Sequence, residues 1–302
     1  MIGREPEFKS GFVGIVGRPN VGKSTLMNAL MGEKIAITTH KPQTTRNRIT
    51  GIKNTEQGQM IFVDTPGIHK AGTLLGKRMV ATAFSVLADV DIILYLIEAG
   101  GVSFADDEDI LRSFADAGKP VVLVINKIDL VTKEALLVAI DSVKDAYPFV
   151  EVIPVSALKG FSVDTLMGVL WGLIPAGPPY FPDDILTDAS ERFLAAEIVR
   201  EKIILFTHNE IPFTTAVTVD SFKEDPEKQL IRIHATVTVD KDSRKGILIG
   251  RDGGMLKKIG TAARLEMERF FGMHIYLELF VKVRKDWTKN NSLLDEFVYR
   301  GR

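Results

Sequence analysis

The sequence predicts an α/β chain of two domains, a doubly wound sheet followed by a smaller α+β domain. Three observations carry that expectation. Runs of Val, Ile and Leu alternate with helical patterns through the first half, as in parallel strands buried on both faces. Pro175, Pro178, Pro179 and Pro182 then fall close together and end that pattern, because proline removes a backbone donor and blocks a continuing helix. Beyond them the order of elements becomes α-β-β-α-α-β. A length of 302 residues suits two domains, and 45% apolar with 25% charged residues is enough for ordinary cores.

In the first half, a strand over 11–17 leads into a helix over 23–31, and a strand over 60–64 follows. The strands 91–97, 121–125 and 152–155 lead to helices 106–117, 133–146 and 163–173. The expected divisions are 1–176 for the first domain, 177–188 for a linker, 189–289 for the second domain and 290–302 for a tail. In the second domain a helix from about 190 to 206 sets Ala195, Ile198, Val199, Ile203 and Phe206 opposite Glu197, Arg200 and Glu201. Two strands follow. In the second, Ile231, Ile233, Ala235, Val237 and Val239 alternate with polar residues. A short helical piece at 245–249 enters Gly250-Arg251-Asp252-Gly253, and a longer helix covers 254–271. The last strand has Ile275, Leu277, Leu279, Val281 and Val283 on one face. Tyr276 and Phe280, on its other face, are expected to pack under a helix rather than stack on bases. Trp287 fits either a cover over a ligand or packing on the domain.

Composition narrows the function. With no cysteine, disulfides, disulfide-linked partners and thiolate metal sites are excluded, which suits a reducing, cytoplasmic setting. No apolar run approaches the roughly 20 residues that span a bilayer, and Met1–Ser10 is polar, unlike a signal segment. The net charge of −1 conceals an uneven distribution. Residues 1–186 hold 18 Lys and Arg against 21 Asp and Glu, and residues 187–302 hold 20 against 18. The stretch 244–289 alone holds 11 against 5, a local excess of the kind an anionic partner requires.

Gly17-Arg18-Pro19-Asn20-Val21-Gly22-Lys23-Ser24, extended by Thr25, follows a strand and opens a helix. This is a complete P-loop: glycines let backbone N–H groups wrap phosphates, Lys23 supplies positive charge, and Ser24 offers a hydroxyl to Mg²⁺. Asn126-Lys127-Ile128-Asp129 lies just after a buried strand, at the edge where ligands collect. A carboxylate there accepts both N1–H and the 2-amino group of guanine, which adenine cannot offer. Asp64-Thr65-Pro66-Gly67 ends another strand. Asp64 is placed to orient Mg²⁺, and Gly67 to present its N–H to a γ-phosphate. The residue that follows is Ile68, where many GTPases carry a glutamine that positions water. Isoleucine forms no such hydrogen bond, so slow intrinsic turnover is expected. Stabilisation of developing charge by Lys23, Mg²⁺ and backbone N–H groups is then the main catalytic term.

These motifs resemble the Era family of bacterial GTPases, over almost the whole chain from Phe12 to about Trp287. Ile185-Leu186-Thr187-Asp188 and Ala195-Ala196-Glu197-Ile198-Val199-Arg200-Glu201-Lys202 are similar to that family's linker and the helix after it. The resemblance implies a P-loop GTPase domain followed by a type II KH domain. It makes Gln43, Thr44 and Thr45 the first switch, with Thr45 favoured over Thr44 as a Mg²⁺ ligand and catalytic residue beside Lys23 and Gly67. Ser156, Ala157 and Leu158 become the loop supporting guanine. Asn20 is similar to an asparagine that helps hold K⁺ beside the phosphates in some relatives; the alternative is that it caps the loop. The switches are expected at roughly 33–48 and 66–78.

In the KH family the G-x-x-G glycines let the backbone approach about four nucleotides. The resemblance therefore assigns Ile249, Gly250, Arg251, Asp252 and Gly253 to RNA. Arg244, Lys245, Lys257 and Lys258, with Lys282 and Lys285 beyond, are expected to meet phosphates. It implies binding of GTP and GDP, of the single-stranded 3′ end of 16S ribosomal RNA, and a part in maturation of the 30S subunit. Two other function classes stay in view. One is an RNA-binding module that holds GTP and scarcely hydrolyses it, which Ile68 favours and the intact metal and base motifs oppose. The other is a membrane-associated cell-cycle switch, whose contact with the inner membrane would be peripheral and electrostatic.

Overall fold

Unbroken aliphatic runs become strands with both faces covered. β1 (Lys9–Gly17), β4 (Ile92–Glu98) and β5 (Val121–Asn126) are buried almost throughout. They are the centre of a six-stranded sheet with the order β2-β3-β1-β4-β5-β6, where β2 is Ile49–Thr55, β3 Gly58–Asp64 and β6 Glu151–Pro154. All neighbours are parallel except the β2–β3 edge pair. Helices α1 (Lys23–Met31), α2 (Leu74–Asp89), α3 (Glu108–Ala117), α4 (Lys133–Val143) and α5 (Val163–Leu173) connect the strands. β1 pairs with β3 on one side and β4 on the other, so the strand order reverses beside it. In open α/β sheets ligands collect at the carboxyl ends of strands flanking such a switch point.

The computed structural model describes residues 7–41, 44–100, 104, 107–143, 145–208 and 211–299. Within the first 188 residues two elements have no counterpart in the sequence reading, β2 and α2. β2 buries Ile49 and Ile52 in a polar stretch with little alternation. Helix α2 is capped by Thr73, whose hydroxyl accepts from the Gly76 N–H at 3.1 Å, but it carries that glycine in its first turn, which weakens the helical pattern. The expected linker is also more structured than its prolines suggest. The side chain of Gln59, wholly buried, accepts from the Tyr180 and Phe181 N–H groups at 2.8 and 3.0 Å and donates to the Phe181 carbonyl at 2.8 Å. Residues up to Asp188 accordingly belong to the first compact unit.

The second unit comprises Ala189–Arg302 together with Ile37–Thr44 and Ala71–Lys77. Its sheet has the order β7-β8-β9, where β7 is Thr215–Asp225, β8 Leu230–Val239 and β9 His274–Val283. β7 is antiparallel to β8, and β8 parallel to β9. Helices α6 (Glu191–Phe206), α7 (Asp242–Ile249) and α8 (Gly254–Phe271) accompany it, giving the expected α-β-β-α-α-β order. Ser190 caps α6 by accepting from the Phe193 N–H. Trp287 is wholly buried, with its Nε1–H donating to the Thr214 carbonyl at 3.0 Å, so it packs on the domain. The tail helix α9 (Asn291–Leu294) buries Leu294 completely.

One sequence expectation fails on the sheet of this unit. Tyr276 and Phe280 are not covered by a helix: they remain 44% and 57% exposed on the open face of the sheet. The helices occupy the opposite face, where Ile231, Ile233, Ala235, Val237 and Ile275 are buried. The polar face of α6 is buried as well as its apolar one. Glu197, Arg200, Glu201 and Lys202 are all buried. The segment Ile37–Thr44 supplies part of the cover, with the Thr38 N–H donating to Glu201 at 3.0 Å and Arg200 donating to the Thr44 carbonyl.

Candidate nucleotide site and nucleic-acid interface

At the carboxyl end of β1 the chain turns through Gly17–Gly22 into α1. Gly22 sits at φ 98°, and a Cβ there would fall 2.3 Å from the Asn126 side-chain nitrogen, so only glycine fits. Lys23 is buried and folds back on the loop, donating to the Gly17 and Arg18 carbonyls at 3.2 and 2.9 Å. Burial lowers its pKa to about 8, against the attraction of Asp64. An ammonium held by two carbonyls and otherwise desolvated is poised to exchange them for phosphate oxygens.

Asn126 ties three loops together. Its amide donates to the Val21 carbonyl at 2.8 Å, and its oxygen accepts from the Ala157 N–H at 3.0 Å. The P-loop, the Asn126–Asp129 turn and the Ser156–Leu158 loop are thereby held in one register. Ser156 donates to Asp129 at 2.5 Å, leaving the second carboxylate oxygen of Asp129 to be used elsewhere. Lys127, at φ 64°, ion-pairs with Glu98 at 2.7 Å. Ile128 is half-buried, and Leu158 lies 73% exposed.

The Asp64-Thr65-Pro66-Gly67 turn lies beside the P-loop. The Thr65 hydroxyl donates to the Ile15 carbonyl at 2.8 Å, and the Ile68 N–H to the Gly17 carbonyl at 3.0 Å. Ile68 itself joins the hydrophobic core with Val16 and Val63, so its side chain serves packing, not water positioning. Ser24 donates to one Asp64 oxygen at 2.6 Å, and Thr45 to the same oxygen at 3.2 Å, with the two hydroxyls 2.9 Å apart. The other Asp64 oxygen is buried and has no hydrogen-bond partner of good geometry among the described residues. Two hydroxyls beside a carboxylate with an orphaned oxygen form a hard donor set of the kind Mg²⁺ takes. Burial raises the Asp64 pKa, opposed first by Lys23; a divalent cation would favour the ionised form. Thr45, not Thr44, converges on this point; Thr44 instead bonds the Thr39 hydroxyl and the Lys41 carbonyl. Gln43 lies outside the described residues.

In the second unit Gly250 ends α7 at φ 73°, Asp252 follows at φ 50° and Gly253 at φ 77°. A Cβ on Gly250 would sit 2.8 Å from the Met255 backbone nitrogen, so the hairpin needs glycine there. Arg251 and Asp252 point outward, and Lys257, Lys258, Lys282 and Lys285 are exposed. Lys258 lies 4.4 Å from the centre of the Phe206 ring. Lys245 and Ile249 are half-buried beside the hairpin. Arg244 departs from expectation: it is buried on Asp240, so its charge serves the domain's own packing.

A family model described as "50S ribosome-binding GTPase" matches residues 12–127, and one described as "KH domain" matches residues 210–288. The chain is 58% identical to the GTPase Era of Syntrophus aciditrophicus, over 97% of this chain and 95% of that one. The chain belongs to the Era family of GTPases. The Era of Geobacter metallireducens is 54% identical, covering 97% and 98%. Among solved structures, a point variant of Aquifex aeolicus Era bound to GDP·AlF4⁻ superposes with a TM-score of 0.93 at 41% identity, covering 97% of this chain and 99% of that one. An Era in complex with MgGDPNP and nucleotides 1506–1542 of 16S ribosomal RNA matches with the same score, identity and coverage. Membership makes the chain a GTP-hydrolysing enzyme with a P-loop GTPase domain and a KH domain, as its motifs imply.

Several residues that hold this Era-family site together gave no sequence signal. Asn28, in α1, accepts from the Ile35 and Ala36 N–H groups, both at 2.9 Å, and fixes the loop after that helix. Asp107 and Tyr95 bond one another and reach the P-loop through Arg18. Each belongs to no short motif; the partners lie from seven to 89 residues away in sequence.

Proposed function

We propose that this Era-family GTPase binds the unpaired 3′ end of 16S ribosomal RNA through its G-x-x-G hairpin and assists assembly of the 30S subunit. The observation that carries the reading is the relative bound to MgGDPNP and nucleotides 1506–1542 of that RNA, which this chain matches over 97% of its length. The intact Gly250–Gly253 turn, its outward Arg251 and the surrounding lysines support it. Ser24, Thr45 and Asp64 hold Mg²⁺, which neutralises phosphate charge. Lys23 and the loop N–H groups stabilise the phosphoryl group in transfer, and Asp129 reads guanine. Asn20 stands exposed at φ 64° on the loop crest and is our candidate to help hold K⁺. The chain works in the cytoplasm, with any membrane contact peripheral; no described helix is long and apolar enough to cross a bilayer.

Nucleotide and RNA binding are coupled in this reading through Ile37–Thr44. Arg200 holds the Thr44 carbonyl, one residue before the metal ligand Thr45. Lys41 donates to the Ile204 and Thr207 carbonyls at the end of α6. The test is anisotropy of a labelled oligonucleotide carrying the 3′-terminal 16S sequence, with the protein loaded with GDPNP or GDP. A preference over a scrambled sequence of at least tenfold is expected, together with a difference between nucleotides that Arg200→Ala reduces. Equal affinity for the scrambled sequence would remove the RNA assignment, and equal affinity in both nucleotide states would remove the coupling. Turnover in K⁺ equal to that in Na⁺ would remove the K⁺ role.

A further inference from the structure

We infer that Asp107 is a positioning residue for the GTPase reaction, holding the γ-phosphate side of the P-loop in place through Arg18. Asp107 stands at the N-cap of α3, where an aspartate side chain ordinarily accepts from the helix's own first N–H groups. Here it makes no such bond. Both carboxylate oxygens are committed elsewhere: Oδ1 accepts from Arg18 Nε at 2.6 Å, and Oδ2 from the Tyr95 hydroxyl at 2.6 Å. Tyr95 and Asp107 are 0% and 2% exposed. Tyr95 also lies edge-on to Phe114 and stacked near Phe104, so its hydroxyl is fixed from behind. A buried carboxylate that leaves a helix terminus to grip a loop arginine has been placed for the loop.

The loop geometry says what is gripped. Arg18 lies between Gly17, whose carbonyl accepts from the Ile68 N–H, and Pro19, against which Gly67 packs so closely that a Cβ on Gly67 would fall 2.7 Å from the proline nitrogen. The Arg18 carbonyl also accepts from Lys23. Arg18 is therefore the joint between the Asp64–Gly67 turn, the P-loop crest and the phosphate-binding lysine. Anchoring its side chain on Asp107 fixes the peptides on both sides. The crest and Gly67 face the position of a γ-phosphate, whereas a diphosphate relies on the helix end at Gly22–Thr25 and on Lys23. Loss of the anchor should therefore slow the chemical step more than it weakens binding of GDP.

The inference rests on the nucleotide-site assignment, so binding is measured beside turnover. Single-turnover GTP hydrolysis and GDP affinity are compared for the full chain and for Asp107→Asn, Tyr95→Phe, Arg18→Ala and the Asp107→Asn/Arg18→Ala pair. The expected result is a fall in rate of roughly tenfold for Asp107→Asn with GDP affinity changed less than about threefold. Tyr95→Phe, which keeps the ring and removes only one hydrogen bond, should show a smaller fall of the same kind. The double variant should be no slower than the slower single variant, because one residue acts through the other. Rates within about twofold of the unmodified chain for both Asp107→Asn and Tyr95→Phe, rates that multiply in the double variant, or parallel losses of rate and GDP affinity would each overturn the proposal. Failure of the unmodified chain to bind GDP would instead remove the site assignment beneath it.

Discussion

Lys23 offers a quantitative test of how the nucleotide site is built. Its pKa in the fold is about 8, against an ordinary 10.5. The cause is desolvation, so folding disfavours the charged form. The cost is present in full below the folded value and disappears as pH rises through 10.5. One pKa unit corresponds to about 1.36 kcal/mol, so at neutral pH the buried ammonium costs the nucleotide-free fold about 3 kcal/mol. Most of that, about 2.5 kcal/mol, should be recovered between pH 7 and pH 10. Lys23→Met removes the titrating group while keeping an unbranched chain. Its own offset, set by the loss of attraction to Asp64, adds a term of its own, but the pH-dependent part belongs to Lys23. Chemical denaturation of both nucleotide-free proteins should show the unmodified chain gaining about 2.5 kcal/mol relative to the variant from pH 7 to pH 10. Parallel stability curves would refute the reasoning, and so would a gain in the opposite direction. The same penalty is what bound phosphate would relieve, and Lys23→Met should abolish nucleotide binding.

Three further outcomes follow from the geometry. Asp129→Asn replaces the acceptor of guanine's two donors with an amide; GTP affinity should fall by about 100-fold or more and affinity for xanthosine triphosphate should rise, read by competition with a fluorescent nucleotide. Ser24→Ala removes one of the two hydroxyls that donate to Asp64 Oδ2. The gain in GTP affinity on adding Mg²⁺ should shrink by at least about tenfold, or about 1.4 kcal/mol, by titration calorimetry. Gly250→Ala should cost about 2 kcal/mol or more in chemical denaturation, since positive φ and the close Met255 backbone both oppose a side chain; Gly253→Ala, at φ 77° in open space, should cost about 1 kcal/mol.

What the sequence made legible was local. The P-loop, the Asn126–Asp129 turn and the Gly250–Gly253 hairpin are short motifs whose chemistry requires particular residues in a row. The central strands β1, β4 and β5 are visible because burial on both faces forces an unbroken aliphatic run. The edge strand β2 needs no such run, since its register comes from pairing with β3. Helix α2 is capped by Thr73, but Gly72 and Gly76 flank its start and obscure the helical pattern. The Asp107–Arg18 pair spans 89 residues, and nothing near Asp107 distinguishes it from the other acids at the start of α3. Tyr276 and Phe280 misled because aromatic residues in a strand usually imply cover, whereas this three-stranded sheet carries its helices on the opposite face.

Helix α6 shows most clearly why periodicity alone reads a helix incompletely. Its apolar stripe is real, and Ala195, Ile198, Val199 and Ile203 enter the domain core. The opposite face looks solvated because it is charged. Yet Arg200 pairs with Glu197, Lys202 with Glu201 and Glu266, and the cover comes partly from residues more than 150 positions upstream. A buried ion pair is a poor way to gain stability, since desolvation offsets most of the attraction. One Arg200 nitrogen has no hydrogen-bond partner among the described residues. The charged face of α6 is covered in part by Ile37–Thr44, through the Thr38 N–H on Glu201 and Arg200 on the Thr44 carbonyl. That segment leads directly into Thr45, whose hydroxyl already reaches Ser24 and Asp64.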